Sequence, residues 1–317
     1  MTHQTIQIVN ASDVRARVEA LKKREDDLKA RLAPCLKGLW NPDRIAMTGA
    51  EETVFDELLT RFPNFAAVIR YWKAVAVASR ITGTIFRTQP VLLDGHPGLG
   101  KTYFASEAAK AMQLYFHEIP MSSITAGFVI SGLSVGWGTG TPGEVAKALS
   151  KSEVANPMIT LDEIEKSHGD GRHSPLGPLF PLLETHSARR FKDEALEIEI
   201  DASNINWVLT ANNHELIPAP ILSRVKHYVI PVPTEEQMVP ILHSIYQGLR
   251  ESDQTFAWLD GELTPDVVGE LVRLTPRDAR NCIKEAAIYA VGDRRKSLRV
   301  SDLVIIRKPE SKRYGFH

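Results

Sequence analysis

Gly95-His96-Pro97-Gly98-Leu99-Gly100-Lys101-Thr102 sets a glycine, four residues, then Gly-Lys-Thr, the spacing at which a backbone loop closes around phosphate. In such a loop, successive N–H groups and the N-terminus of the following helix face the phosphates. Lys101 would reach the β- and γ-phosphates, and the Thr102 hydroxyl would ligate Mg²⁺. Met158-Ile159-Thr160-Leu161 is an apolar run that ends in Asp162-Glu163. A strand ending in such a pair can hold Mg²⁺ through its water shell with Asp162 and polarise the attacking water with Glu163. An acidic pair alone is common on surfaces; downstream of a phosphate loop it becomes specific. Trp207 to Asn213 is a second strand-like run ending in amides. Asn212 could orient water and donate to the γ-phosphate without adding negative charge; its bland alternative is an Asn used for turn geometry. Arg224 follows a Pro-bounded helical turn, where a guanidinium could complete a neighbouring subunit's site or simply form a surface salt bridge. The expected ligand is ATP or GTP.

These residues need a scaffold, and the patterning supplies one. Val91–Asp94, Leu114–Ile119, Met158–Leu161, Ile205–Thr210 and Lys226–Ile230 read as strands, alternating with helical segments as in a parallel α/β sheet. The helix after the loop, 102–112, carries Phe104, Ala108, Ala109 and Met112 on one face. Beyond Pro231 and Pro233 the sequence reads as helices over 234–292, broken at Asp260-Gly261 and Thr264-Pro265, and closes on a basic tail, 307–317. Residues 11–36 repeat Val14, Val18, Leu21, Leu28 and Leu32 at helical spacing, with Pro34 expected to end the helix. That stripe fits either a short coiled coil or partner-binding helix, or a helix packed on its own domain.

With 317 residues, 43% hydrophobic and 24% charged, the composition is that of a globular protein with a sizeable core. A net charge of −1 gives no bulk attraction to nucleic acid or anionic membrane. No apolar run reaches the ~20 residues of a membrane span, and the N-terminus lacks the basic and apolar regions of a signal peptide. Cys35 and Cys282 are too few for a disulfide framework. A cytoplasmic location is expected.

The chain resembles the AAA+ ATPases, and among them the ATPase module of Lon protease, over roughly residues 60 to 315. The resemblance rests on GHPGLGKT, NPMITLDEIEK, FKDEALEIEID, VLTANNHELIPAPILSRV and TPRDARNCIKEA, in the family's order and at similar spacing. It implies an α/β P-loop core with a parallel sheet over 59–232, an N-terminal helical segment over 1–58, and a helical lid with the basic tail over 233–317. By the same resemblance Lys101 and Thr102 are the Walker A pair, Asp162 and Glu163 the Walker B pair, and Asn212 sensor 1. Arg224 matches the trans-acting arginine finger, and Arg277 the sensor 2 arginine, with Arg280 one helical turn on as its alternative. The adenine pocket falls near Phe62-Pro63-Asn64-Phe65. The implied activity is Mg²⁺-dependent ATP hydrolysis driving the remodelling or unfolding of protein substrates through the pore of a homo-oligomer of six subunits. A Lon protease continues past the position of SKRYGFH into a peptidase domain. The expectation here is therefore a motor module rather than a protease, working alone or with a separate protease or adaptor. Two rivals remain: a nucleic-acid-associated AAA+ ATPase of the transposition or helicase-loading type, and a nucleotide-switched scaffold.

Ser131 to Val145 admits two readings. Gly132-Leu133-Ser134-Val135-Gly136 fits the pattern of a serine nucleophile elbow, which requires a strand before the Ser, a helix after it, and His and acid partners. In the family's order, the segment instead corresponds to the loop that projects into the pore, with Trp137 at its aromatic position. A large amphipathic ring there would grip extended polypeptide with little sequence demand; otherwise Trp137 docks in the local core. The family's aliphatic residue after the aromatic is Gly138 here. His168, Asp170 and His173 have spacing that could suit a metal or a solvated loop, and Arg189 and Arg190 follow Glu184 near a candidate subunit interface.

Overall fold

The computed structural model describes residues 4–22, 27–137, 140–167 and 174–304. The described chain divides into two compact units, one holding residues through Leu59 together with Asn64–Pro231, the other Thr60–Pro63 and the chain from Val232 onward.

In the first unit, β1 (Thr5–Gln7) and β2 (Asp43–Ile45) form an antiparallel pair. The main sheet is built from β3 (Val91–Asp94), β4 (Phe116–Pro120), β5 (Met158–Asp162), β8 (Asn206–Ala211) and β9 (Lys226–Val229), while β6 (Phe191–Asp193) and β7 (Ile198–Ile200) make a separate hairpin. The five strands run parallel in the order β4-β5-β8-β3-β9. Every residue of β3 and β8 is buried, as expected where helices cover both faces of a parallel sheet. All five strands anticipated from apolar runs exist, with ends shifted by no more than two positions. Phe104, Ala108, Ala109 and Met112 of the helix after the loop are buried, and Phe104 stacks between Phe65 (4.1 Å) and Trp72 (5.5 Å).

Residues 11–36 form two helices, Ala11–Lys22 and Asp27–Gly38. Pro34 lies inside the second rather than ending it. Val14, Leu21, Leu28 and Leu32 are buried in the same apolar core as the sheet, and the Cys35 thiol approaches the Ala146 carbonyl at 3.5 Å. The stripe is covered by its own unit, which removes the need for a coiled-coil partner. That burial also offsets the backbone hydrogen bond that Pro34 cannot make.

The second unit is helical, with Glu235–Ser252, Pro265–Leu271 and Pro276–Gly292 packed around Met238, Leu242, Leu271, Ile283 and Ala287. Thr234 caps the first of these with a reciprocal capping box to Gln237. Among the described residues no helix is long and apolar enough to cross a membrane.

Candidate functional site

Parallel strands carry their carboxyl ends to the same edge of a sheet, which is where open α/β sheets bind ligands. Here the neighbours β5, β8 and β3 end in Asp162, Ala211 and Asp94, with Asp94 in register with Ala211 and Leu161 with Leu209. The acidic pair, the amide Asn212 and the glycine loop are therefore gathered by topology alone.

Gly98 (φ 86°) and Gly100 (φ 83°) adopt the left-handed conformation, and a Cβ built on Gly100 would project into open space. Gly95 has no such room: a Cβ there would lie 2.7 Å from the Ile230 carbonyl oxygen. Leu99 is buried, whereas His96 and Pro97 are exposed. Lys101 is buried, and its Nζ donates to the Gly95 carbonyl (2.6 Å), the His96 carbonyl (3.1 Å) and Asn212 Oδ1 (3.0 Å). The loop thus has a cation at its base and a side-chain-free face at Gly100, a donor set suited to polyphosphate.

The Thr102 hydroxyl donates to Asp162 Oδ1, which also accepts from the Thr210 hydroxyl at 2.8 Å. Thr210 Oγ1 in turn accepts the backbone N–H of Glu163 at 2.9 Å. This fixes Glu163 in the left-handed region, φ 54°, a conformation that costs a non-glycine residue about 1–3 kcal/mol and persists only where its surroundings hold it. Glu163 Oε1 lies 2.8 Å from Lys166 Nζ and 3.4 Å from Asn212 Nδ2. Asn212 is held at both ends: its Nδ2 and backbone N–H donate to Glu165 Oε1 at 2.9 and 3.0 Å, while its Oδ1 faces Lys101. A hydroxyl beside a carboxylate, Thr102 with Asp162, is an oxygen set suited to Mg²⁺. Thr210 and Glu165 escaped the sequence reading because Thr in a strand and Glu after an acidic pair carry no spacing signal of their own.

Arg224 lies apart from this network. Its Nη2 pairs with Glu184 Oε1 at 2.7 Å, its Nη1 donates to the Pro220 carbonyl at 2.7 Å, and its guanidinium stands 5.7 Å from the Phe180 ring centroid. Glu184 is thus engaged within the chain, while Arg190 forms a two-bond pair with Glu199 at 3.1 Å. Arg277 and Arg280 are exposed in the first turns of Pro276–Gly292 in the second unit. In the segment where the resemblance places adenine, Asn64 donates to the Pro231 carbonyl at 3.4 Å and Phe65 is buried against Phe104.

The segment 131–143 has a pinched base. Leu133 and Thr141 exchange backbone hydrogen bonds at 2.9 and 3.2 Å. Asp193, fully buried, accepts from the N–H groups of Gly143 (2.8 Å), Ala195 (3.0 Å) and Leu196 (2.8 Å). Burial pushes its carboxyl above the ordinary range despite these donors. Gly132 packs so tightly on Asp193 that a Cβ would fall 2.7 Å from Oδ1, and it too has a positive φ of 92°. Trp137 ends a single helical turn, Val135–Trp137, between these anchors; its side chain lies outside the described residues. Ser134 follows a short helix, Phe128–Ser131, and not a strand, so the nucleophile-elbow geometry is absent there. His168, Asp170 and His173 lie outside the described residues, as does the basic tail.

Residues 91–231 match the family described as "ATPase family associated with various cellular activities (AAA)". The chain is 30% identical over 247 residues to the Lon protease of Brevibacillus choshinensis, aligning 77% of this chain with 31% of that protein. It is 32% identical over 192 residues to the Lon protease of Wolbachia pipientis subsp. Culex pipiens, covering 60% of this chain and 23% of the relative. The chain therefore spans a third or less of these relatives. A cryo-EM reconstruction of closed-state Hsp104 with ATPγS and FITC casein superposes with a TM-score of 0.60 at 15% identity, covering 77% of this chain and 48% of that one. That likeness concerns the fold.

Proposed function

We propose that this chain, whose residues 91–231 form an AAA-family domain resembling the ATPase region of Lon, is an ATP-driven motor acting on protein substrates. The observation that carries the reading is the continuous network from Lys101 through Asn212 to Glu163 and Glu165, and from Thr102 through Asp162 and Thr210 back to Glu163. Gly95 to Gly100, with Lys101, would cradle the triphosphate. Thr102 directly, and Asp162 through water, would hold Mg²⁺, which when bound supplies neutralising charge.

In the chemical step, water attacks the γ-phosphorus, the bond to the β-phosphate oxygen breaks, and ADP leaves with that electron pair. Glu163 takes the water's proton, and Asn212 orients the water. Glu163 must first release Lys166. Arg224 would stabilise charge developing on a neighbouring subunit's γ-phosphate. Its pairing with Glu184 keeps the guanidinium ordered and partly desolvated until that neighbour docks. Arg277, or Arg280 beside it, would close the helical unit over nucleotide, and Trp137 would move with its loop along the pore of a six-membered ring.

Subunit mixing tests the shared site. Rings of Arg224→Ala alone and of Glu163→Gln alone should each lose ATPase activity. Mixed rings should recover part of it wherever an intact Glu163 site faces an intact Arg224. Absence of recovery despite co-assembly would overturn the trans role. Trp137→Ala should retain basal ATPase but fail to unfold a destabilised tagged substrate. Salt-sensitive stimulation of the ATPase by DNA, with no effect of Trp137→Ala on substrate processing, would favour the nucleic-acid reading instead.

A further inference from the structure

Asp94 ends β3 immediately before the glycine loop, and its side chain is 9% exposed. Among the described residues no Lys or Arg pairs with it. Its partners are two imidazoles that enter from the neighbouring chain segments on either side: His214, just past β8, and His227, within β9. Asp94 Oδ2 lies 2.7 Å from His214 Nδ1 and 3.1 Å from His227 Nε2, and the rings stand 4.6 Å apart at 48°. One ligand atom from each of the three residues falls within 4.8 Å of the other two.

The geometry points to a binding site for a transition-metal dication of the zinc class at Asp94, His214 and His227, separate from the Thr102–Asp162 position. Two imidazole nitrogens and one carboxylate oxygen form a borderline donor set that favours Zn²⁺, Co²⁺ or Ni²⁺ over the all-oxygen preference of Mg²⁺ and Ca²⁺. With metal–ligand bonds of about 2.0–2.2 Å, tetrahedral ligands stand roughly 3.3 Å apart, so the Asp94–His214 and Asp94–His227 separations would open by roughly 0.6 and 0.2 Å. Burial is graded in the useful sense. The carboxylate anchor is inside, while the His214 and His227 side chains are 42% and 31% exposed, which leaves an entry path and a solvent-side position for a fourth ligand. A dication there would compensate the charge of the buried carboxylate, and would cross-link the end of β3 to β9 and to the segment just past β8.

The test uses the untagged full chain, stripped with chelator and then exchanged into a metal-free buffer. Titration with Co²⁺ should develop the visible ligand-field absorption of a tetrahedral site with one ion per chain, and Zn²⁺ should bleach it. Competition against a chromophoric chelator should show His214→Gln and His227→Gln each weakening Zn²⁺ by about tenfold or more. Both side chains are part-exposed, so these variants should keep the fold, checked by circular dichroism; Asp94→Asn is the riskier third variant. The double variant His168→Gln/His173→Gln should bind Zn²⁺ as wild type does. Unchanged Zn²⁺ affinity in His214→Gln, or loss of binding only in the His168/His173 double variant, would overturn the assignment. The readout involves neither nucleotide nor turnover, so it stands or falls separately from the motor function.

Discussion

Removing the Asp193 carboxylate should release the base of the loop that carries Trp137. Asp193 Oδ1 accepts from Ala195 and Leu196, and Oδ2 from Gly143. Asp193→Ala strands three buried N–H donors and leaves a cavity. Each unsatisfied donor costs about 1–3 kcal/mol, and relief from the carboxylate's own desolvation offsets part of the sum, leaving a loss of about 3–5 kcal/mol. Asp193→Asn is the sharper probe. With its oxygen in the Oδ1 position it keeps the bonds to Ala195 and Leu196 but turns an NH₂ toward the Gly143 N–H, so it should cost about 1–3 kcal/mol. Urea unfolding of wild type and both variants measures these values. Hydrogen exchange of the Asn variant should show Gly143 deprotected and Leu196 unchanged. Because burial raises the Asp193 pKa above its unfolded value, its contribution is full below that unfolded value and declines as pH rises through the folded one. The gap between wild type and Asp193→Asn should therefore widen on acidification. An Ala variant within about 1 kcal/mol of wild type, or an Asn variant as costly as Ala, would refute the clamp.

Two further outcomes follow from the same physics. The hydrogen bond from His117, with Lys147 beside it, holds the Glu144 carboxyl at about 2 against an ordinary 4.5. That depressed value stabilises the fold above pH 4.5 and the effect fades as pH falls toward 2. The cluster is part-solvated, so Glu144→Gln should cost only about 1 kcal/mol at pH 7, with the difference from wild type shrinking below pH 4.5 and vanishing in acid-unfolding curves only as pH falls through about 2. Burial pushes the Cys35 thiol up to about 11 and raises that of Cys282 as well. Neither should react with a disulfide reagent at mildly alkaline pH until denaturant opens its unit, so Cys35 should report the first unit and Cys282 the second.

The segments that form the sheet were legible in the sequence because the strands are short, largely apolar runs, and Asp162, Glu163 and Asn212 stand at the carboxyl ends of two of them. Parallel pairing then brought Lys101, Asp162 and Asn212 together without further instruction. Pro34 was misleading: local propensity says stop, yet Leu32, Cys35 and Leu36 bury enough surface to carry the helix on to Gly38. Thr210, Glu165 and Asp193 stayed hidden for a different reason. Their partners lie tens of residues away, as with Thr210 and Asp162 at a separation of 48 or Asp193 and Gly143 at 50, and no local period reports such pairs. The Asp94–His214–His227 cluster spans separations of 120 and 133, so only the order of the strands reveals it.

Single-turnover and steady-state ATPase assays of Glu163→Gln, alongside nucleotide binding and oligomer size, bear most directly on the proposed motor. Its carboxylate alone is replaced, while Lys101, Thr102 and Asp162 remain to bind. The variant should bind ATP, assemble as wild type does, and lose at least about a hundredfold in hydrolysis. Hydrolysis at the wild-type rate would contradict the assignment of Glu163 as the base, and with it the reading of this site.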